Sequence, residues 1–104
     1  MDYNVIISDF AEAQLDRIIY HVLYRLKNAQ AAQSILSDFE NTKEKLSSVA
    51  GSLKLCDDPH LQASGYRIIH LAQHQYFMVY RVENNMAYVE GIYHDLQDYE
   101  NLLQ

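Results

Sequence analysis

Hydrophobic positions change their period three times along this chain. Tyr3-Asn4-Val5-Ile6-Ile7 is β-branched and apolar, bounded by Ser8-Asp9, and predicts a short opening strand. Ala11, Leu15, Ile18, Val22 and Leu26 then recur at helical spacing, thickened by Ile19 and Leu23. Asp9 and Glu12 fit a capping box with Asp9 as N-cap, which predicts an amphipathic helix of about 16–18 residues. Asn28 is placed to stop that helix and cap a second one. The second stripe runs Ala32, Ile35, Leu36, Phe39, Leu46 and Val49, interrupted at the polar pair Thr42-Lys43, and Gly51 suits the residue just past its C-terminus. So short a connection implies an antiparallel helical hairpin.

From Ser52 to Ser64 no period holds, and Asp57-Asp58-Pro59 is turn chemistry, so a loop is expected there. Gly65 opens a region of strict alternation. Tyr66, Ile68 and His70 fall on one face, with Arg67, Ile69 and Leu71 on the other. Ala72-Gln73-His74-Gln75 turns the chain into a second strand, Tyr76 to Val82. Asn84-Asn85 is a two-residue hairpin signal leading into a last strand at about Ala87–Tyr93. A short final helix beginning at His94 or Asp95 would place Leu96, Tyr99, Leu102 and Leu103 over the sheet. The order β-α-α-β-β-β-α predicts an α+β fold, a helical hairpin packed on a mainly antiparallel sheet. The 104 residues make one domain, 1–104.

Composition narrows the setting. No apolar run approaches the roughly 20 residues that span a bilayer, and MDYNVIISDF lacks the basic start and apolar middle of a signal peptide. With the lone Cys56 unable to form an internal disulfide, a cytoplasmic protein without a membrane partner is expected. The formal net charge is −6. From Leu55 onward two arginines face seven carboxylates, a balance that repels the phosphate backbone and argues against unassisted nucleic-acid binding.

Four side chains could carry chemistry: Arg67, Arg81, His94 and Tyr99. The two guanidinium groups of the sheet could each hold a phosphate or carboxylate, or pair with Glu83 or Glu90. His94 could move a proton near neutral pH, or cap the terminal helix through Asp98. Tyr99, with an ordinary pKa near 10, needs a cationic neighbour to act as a base and otherwise packs. His70 and His74 straddle a strand end and turn, so no metal site is expected, and Cys56 reads as structural. His21 in the first helix and His60 in the loop have no evident partner, and Arg17, Arg25 and Lys27 read as a solvated face. No phosphate loop, dinucleotide fingerprint or nucleophile elbow is present, and no cofactor is expected.

Taken in order, these segments resemble the RelE/ParE superfamily, the toxins of bacterial type II toxin–antitoxin modules. The resemblance rests on the opening strand with Ser8, Ala11 and Leu15, the hairpin, and Gly65-Tyr66-Arg67-Ile68. It extends through Tyr76-Phe77-Met78-Val79-Tyr80 to the ending Ile92-Tyr93-His94-Asp95-Leu96-Gln97-Asp98-Tyr99. It implies one of two activities, metal-independent cleavage of mRNA on the ribosome or inhibition of DNA gyrase, each silenced by a cognate antitoxin. If the chain is an enzyme, it is the former. Arg67, His94, Asp98 and Tyr99 match the family's basic position and ending, but Phe77, Leu96 and Ile69 stand where its ribonucleases commonly carry cations. Cleavage through a dianionic phosphorane depends on positioned cations. The expectation therefore leans towards a gyrase-directed, growth-inhibiting toxin of the plasmid-stabilising kind. A ribosome-dependent ribonuclease and a non-toxic scaffold that only binds antitoxin are the alternatives.

Overall fold

The computed structural model describes residues 2–95. Strand β1 (Asn4–Ile7) is followed by helix α1 (Asp9–Tyr20), which widens into a π-helical turn over His21–Arg25. Helix α2 (Ala29–Val49) returns antiparallel, a short helix α3 (Pro59–Ala63) follows, and β2 (Tyr66–His70), β3 (Tyr76–Glu83) and β4 (Met86–His94) complete the order. The sheet runs β1-β4-β3-β2, with β1 parallel to β4 and both other pairs antiparallel. The expected α+β architecture is thus present. The expected terminal helix, with Leu96, Tyr99, Leu102 and Leu103, lies outside the described residues.

Three local expectations are corrected. Ser8, not Asp9, caps α1: its hydroxyl accepts from the Ala11 amide at 3.0 Å, leaving Asp9 in the first turn where its charge favours the helix dipole. Helix α2 runs on through the polar break in its stripe: the Thr42 hydroxyl donates to the Asp38 carbonyl at 2.7 Å, and the side chain is buried with its polar atom satisfied. Gly51 does not take the left-handed cap; α2 ends in a 3₁₀ turn over Ala50–Ser52, where a Cβ on Gly51 would strike the Tyr3 hydroxyl. Finally, the Ser52–Ser64 segment is not structureless. Asp58 caps α3 by accepting from the Leu61 amide, Pro59 opens it, and Leu55 bridges to Arg67.

The core lies between the hairpin and one face of the sheet. Ala11, Phe39, Leu46 and Ala50 pack there against Ile69, Leu71, Met78, Tyr80, Ala87, Val89 and Ile92. The other face carries a smaller cluster of Phe77, Val79 and Tyr93, with Tyr66 and Ile68 beside it. A register shift between Val79 and Tyr80 lets β4 change phase: Tyr80 faces Val89, but Val79 faces Gly91, leaving Glu90 as the extra residue. Ala87 and Val89 therefore point to the helices before the bulge, and Ile92 does so after it. By the same alternation His94 lands on the helix side, opposite Tyr76.

Candidate functional site

The two sheet arginines do not converge. Arg67 pairs with Tyr80 and Arg81 with Tyr66 across neighbouring positions of the β2–β3 ladder, so their side chains leave opposite faces. Arg67 turns to the helix side and donates to the Leu53 carbonyl. Arg81 lies on the other face, where its Nε donates to Glu90 at 2.9 Å and its Nη1 to Glu83 at 2.7 Å. Its guanidinium also stands 4.5 Å from the centroid of the Tyr88 ring. The bonds to Glu83 and Glu90 raise the already high pKa of Arg81 and leave it a cation balanced by two carboxylates. Tyr66 adds a second contact to Glu90, at 3.3 Å. Of the two readings the sequence allowed, the surface ion pair holds for Arg81.

His94 ends β4, its ring edge-on to Tyr76 at 5.3 Å. It lines an open cavity of about 310 Å³ with Gln14, Arg17, Ile18, His21, Tyr76 and Ile92. Gln14 fixes the strand beside it by accepting from the Ile92 amide at 2.7 Å. Tyr99 lies outside the described residues, as does Asp98. Among the described tyrosines, burial pushes the phenols of Tyr66, Tyr76 and Tyr93 up, and that of Tyr80 up to about 12. Raised phenols are poorer bases at neutral pH. Arg67, Arg81 and His94 thus occupy three separate settings, and no pair of them cradles one phosphate.

Sequence reading missed two clusters. Asp38, buried in α2, holds the β2–β3 turn: its carboxylate accepts from the amides of Ala72 (3.2 Å) and Gln73 (2.9 Å) and contacts His74 Nδ1 at 2.8 Å. Asp38 and His74 are remote in sequence, so no local motif could have signalled the pair. The second cluster is the grouping of Arg17 and His21 with His94. Arg17 on α1 and His21 at the start of its π turn stand four apart, a spacing that could have been read, but only the bulge at Glu90 turns His94 towards them. Among the described residues no group of three or more His, Cys, Asp or Glu side chains could hold a metal ion. No described helix is long and apolar enough to cross a membrane.

Residues 5–99 match the family model described as "ParE toxin of type II toxin-antitoxin system, parDE". No curated protein sequence matches the chain significantly. Among solved structures, the fold is similar to a chain of the chromosomal ParDE toxin–antitoxin system from P. aeruginosa, with a TM-score of 0.72 and 21% identity. That alignment covers 88% of this chain and 95% of the other.

Proposed function

The chain belongs to the ParE toxin family of type II toxin–antitoxin systems, and on that footing we propose that it arrests growth by binding a protein target, DNA gyrase, rather than by cutting RNA. The observation that carries this reading is the separation of Arg67 from Arg81, with Arg81 neutralised by Glu83 and Glu90. A metal-free ribonuclease must gather cations on the charge that develops at the scissile phosphate, and losing one such donor costs roughly 3–4 kcal/mol of barrier. A protein-binding toxin needs no such gathering. Its requirements are a rigid sheet and an exposed surface, and the α1–α2 hairpin supplies the latter through Tyr20, Tyr24 and Leu36.

The partner is a cognate antitoxin that covers such an apolar surface, using groove or edge-strand recognition. The overall charge of −6 suggests an antitoxin segment rich in Lys and Arg. The direct test adds purified protein to a gyrase supercoiling assay and, separately, to translating ribosomes. Gyrase inhibition with intact mRNA is expected. Transcript cleavage with unaffected gyrase would instead make it a ribonuclease. Activity in neither assay would leave the antitoxin-binding scaffold.

A further inference from the structure

Arg17 and Arg25 differ from the other two arginines of this chain. Arg67 is spent on the Leu53 carbonyl and Arg81 on two carboxylates, whereas Arg17 and Arg25 form no ion pair with another described residue. The two stand eight residues apart, and on a regular α-helix, at about 100° per residue, they would diverge by roughly 80°. The π turn removes that divergence. The Leu26 amide bonds back to the His21 carbonyl at 3.0 Å, an i→i+5 closure that advances fewer degrees per residue and swings Arg25 back towards Arg17. Arg17, His21 and Arg25 consequently line one groove of about 420 Å³ with Tyr20 and Asp16.

This groove neighbours the 310 Å³ cavity, and Arg17 and His21 line both. Between them the two linings hold two guanidinium groups and two imidazoles, His21 and His94, with Ile18, Tyr76 and Ile92 on the cavity side. Among the described lining residues one carboxylate, Asp16, faces them, and the C-terminal end of the helix adds about half a negative charge. Two guanidinium charges exceed that sum. Guanidinium forks match phosphate oxygens, and the exposed Tyr20 ring, 4.8 Å from that of Tyr24, offers a face on which a planar base can stack. A long polyanion is disfavoured by the acidic remainder of the surface.

We propose that the adjoining grooves of Arg17, His21, Arg25 and His94 bind a free mononucleotide, its phosphate on the two arginines and its base against Tyr20. Nucleotide binding here does not require the gyrase reading, although Tyr20 belongs to both surfaces. The test is calorimetric titration of the full chain at low salt with AMP, adenosine and inorganic phosphate in separate arms, with the His21 and His94 imidazole resonances followed by NMR. AMP should saturate while shifting both resonances, adenosine should not bind, and phosphate should bind at least about tenfold more weakly than AMP. Arg17→Ala and Arg25→Ala, both at exposed positions, should each weaken AMP about tenfold or more, while Lys43→Ala leaves it unchanged. Absence of saturation up to about 10 mM AMP, or affinity that survives both arginine substitutions, would overturn the site. Phosphate binding as tightly as AMP would overturn its assignment to a nucleotide.

Discussion

Asp38 Oδ2 lies 2.8 Å from His74 Nδ1, joining the middle of α2 to the turn between β2 and β3. Burial opposes ionisation of Asp38, but the hydrogen bond from His74, the amides of Gln73 and Ala72 and the charge of His74 together outweigh it and hold the carboxyl below its ordinary value of 3.8. The same turn leads into Tyr76, the neighbour of His94, so this clamp also fixes one wall of the larger cavity.

Asp38→Ala strips acceptors from two amides and an imidazole, and should cost about 2–4 kcal/mol in urea unfolding. The pH dependence has a fixed sign. A carboxyl with a depressed folded pKa contributes its stability above the unfolded value and loses it as pH falls through the folded one. The gap between wild type and Asp38→Asn should therefore be full at pH 6 and narrow below the ordinary carboxylate value of 3.8. A gap unchanged at pH 3 would show that the charge of Asp38 contributes nothing.

Tyr80 is fully buried, and its hydroxyl donates to the Ala50 carbonyl at 2.7 Å, tying the central strand to the end of α2. Tyr80→Phe keeps the ring and orphans that carbonyl, so a loss of about 1–2 kcal/mol is expected. Chemical denaturation measures it directly.

Gly91 sits just past the bulge, where a Cβ would meet atoms of the Tyr93 ring and hydroxyl at 2.5–2.9 Å. Gly91→Ala should displace that ring from the Phe77–Val79 cluster and destabilise the protein by about 1–3 kcal/mol. Gly91→Ala combined with Tyr93→Ala should show less than the summed loss, because the clash is relieved.

The parts of this fold that were legible in the sequence are those set by neighbours along the chain. Asn28 caps α2 through the Ala31 amide at 2.9 Å, and Asn84 takes φ 57 in the hairpin, both as their residue types demand. Where two capping residues stood side by side, Ser8 and Asp9, composition did not choose between them. The site was less legible because its geometry depends on phase. Strict alternation carried through β4 would put His94 on the wrong face, and an unbroken α-helix would separate Arg25 from Arg17. The bulge at Glu90 and the π turn at His21–Arg25 are single-residue adjustments that leave no local pattern. The ion pairs of Arg81, by contrast, were readable as one of two alternatives, because Glu83 and Glu90 lie on the same short hairpin.

If toxicity does not depend on a phosphate cradle, the sheet arginine most exposed to that role is dispensable. Arg81→Ala removes ion pairs at the surface, which cost about 0–1 kcal/mol, and should leave growth arrest intact. A return of normal growth with soluble, folded variant would place Arg81 in the toxic mechanism.

Controlled expression in a bacterial host lacking the antitoxin, comparing wild type with Arg67→Ala/His94→Ala, separates gyrase inhibition from RNA cleavage. Growth, transcript integrity and DNA-damage induction are followed together. Arrest with a DNA-damage response and intact transcripts is expected in both. Codon-phased transcript cleavage that disappears in the double variant would contradict it.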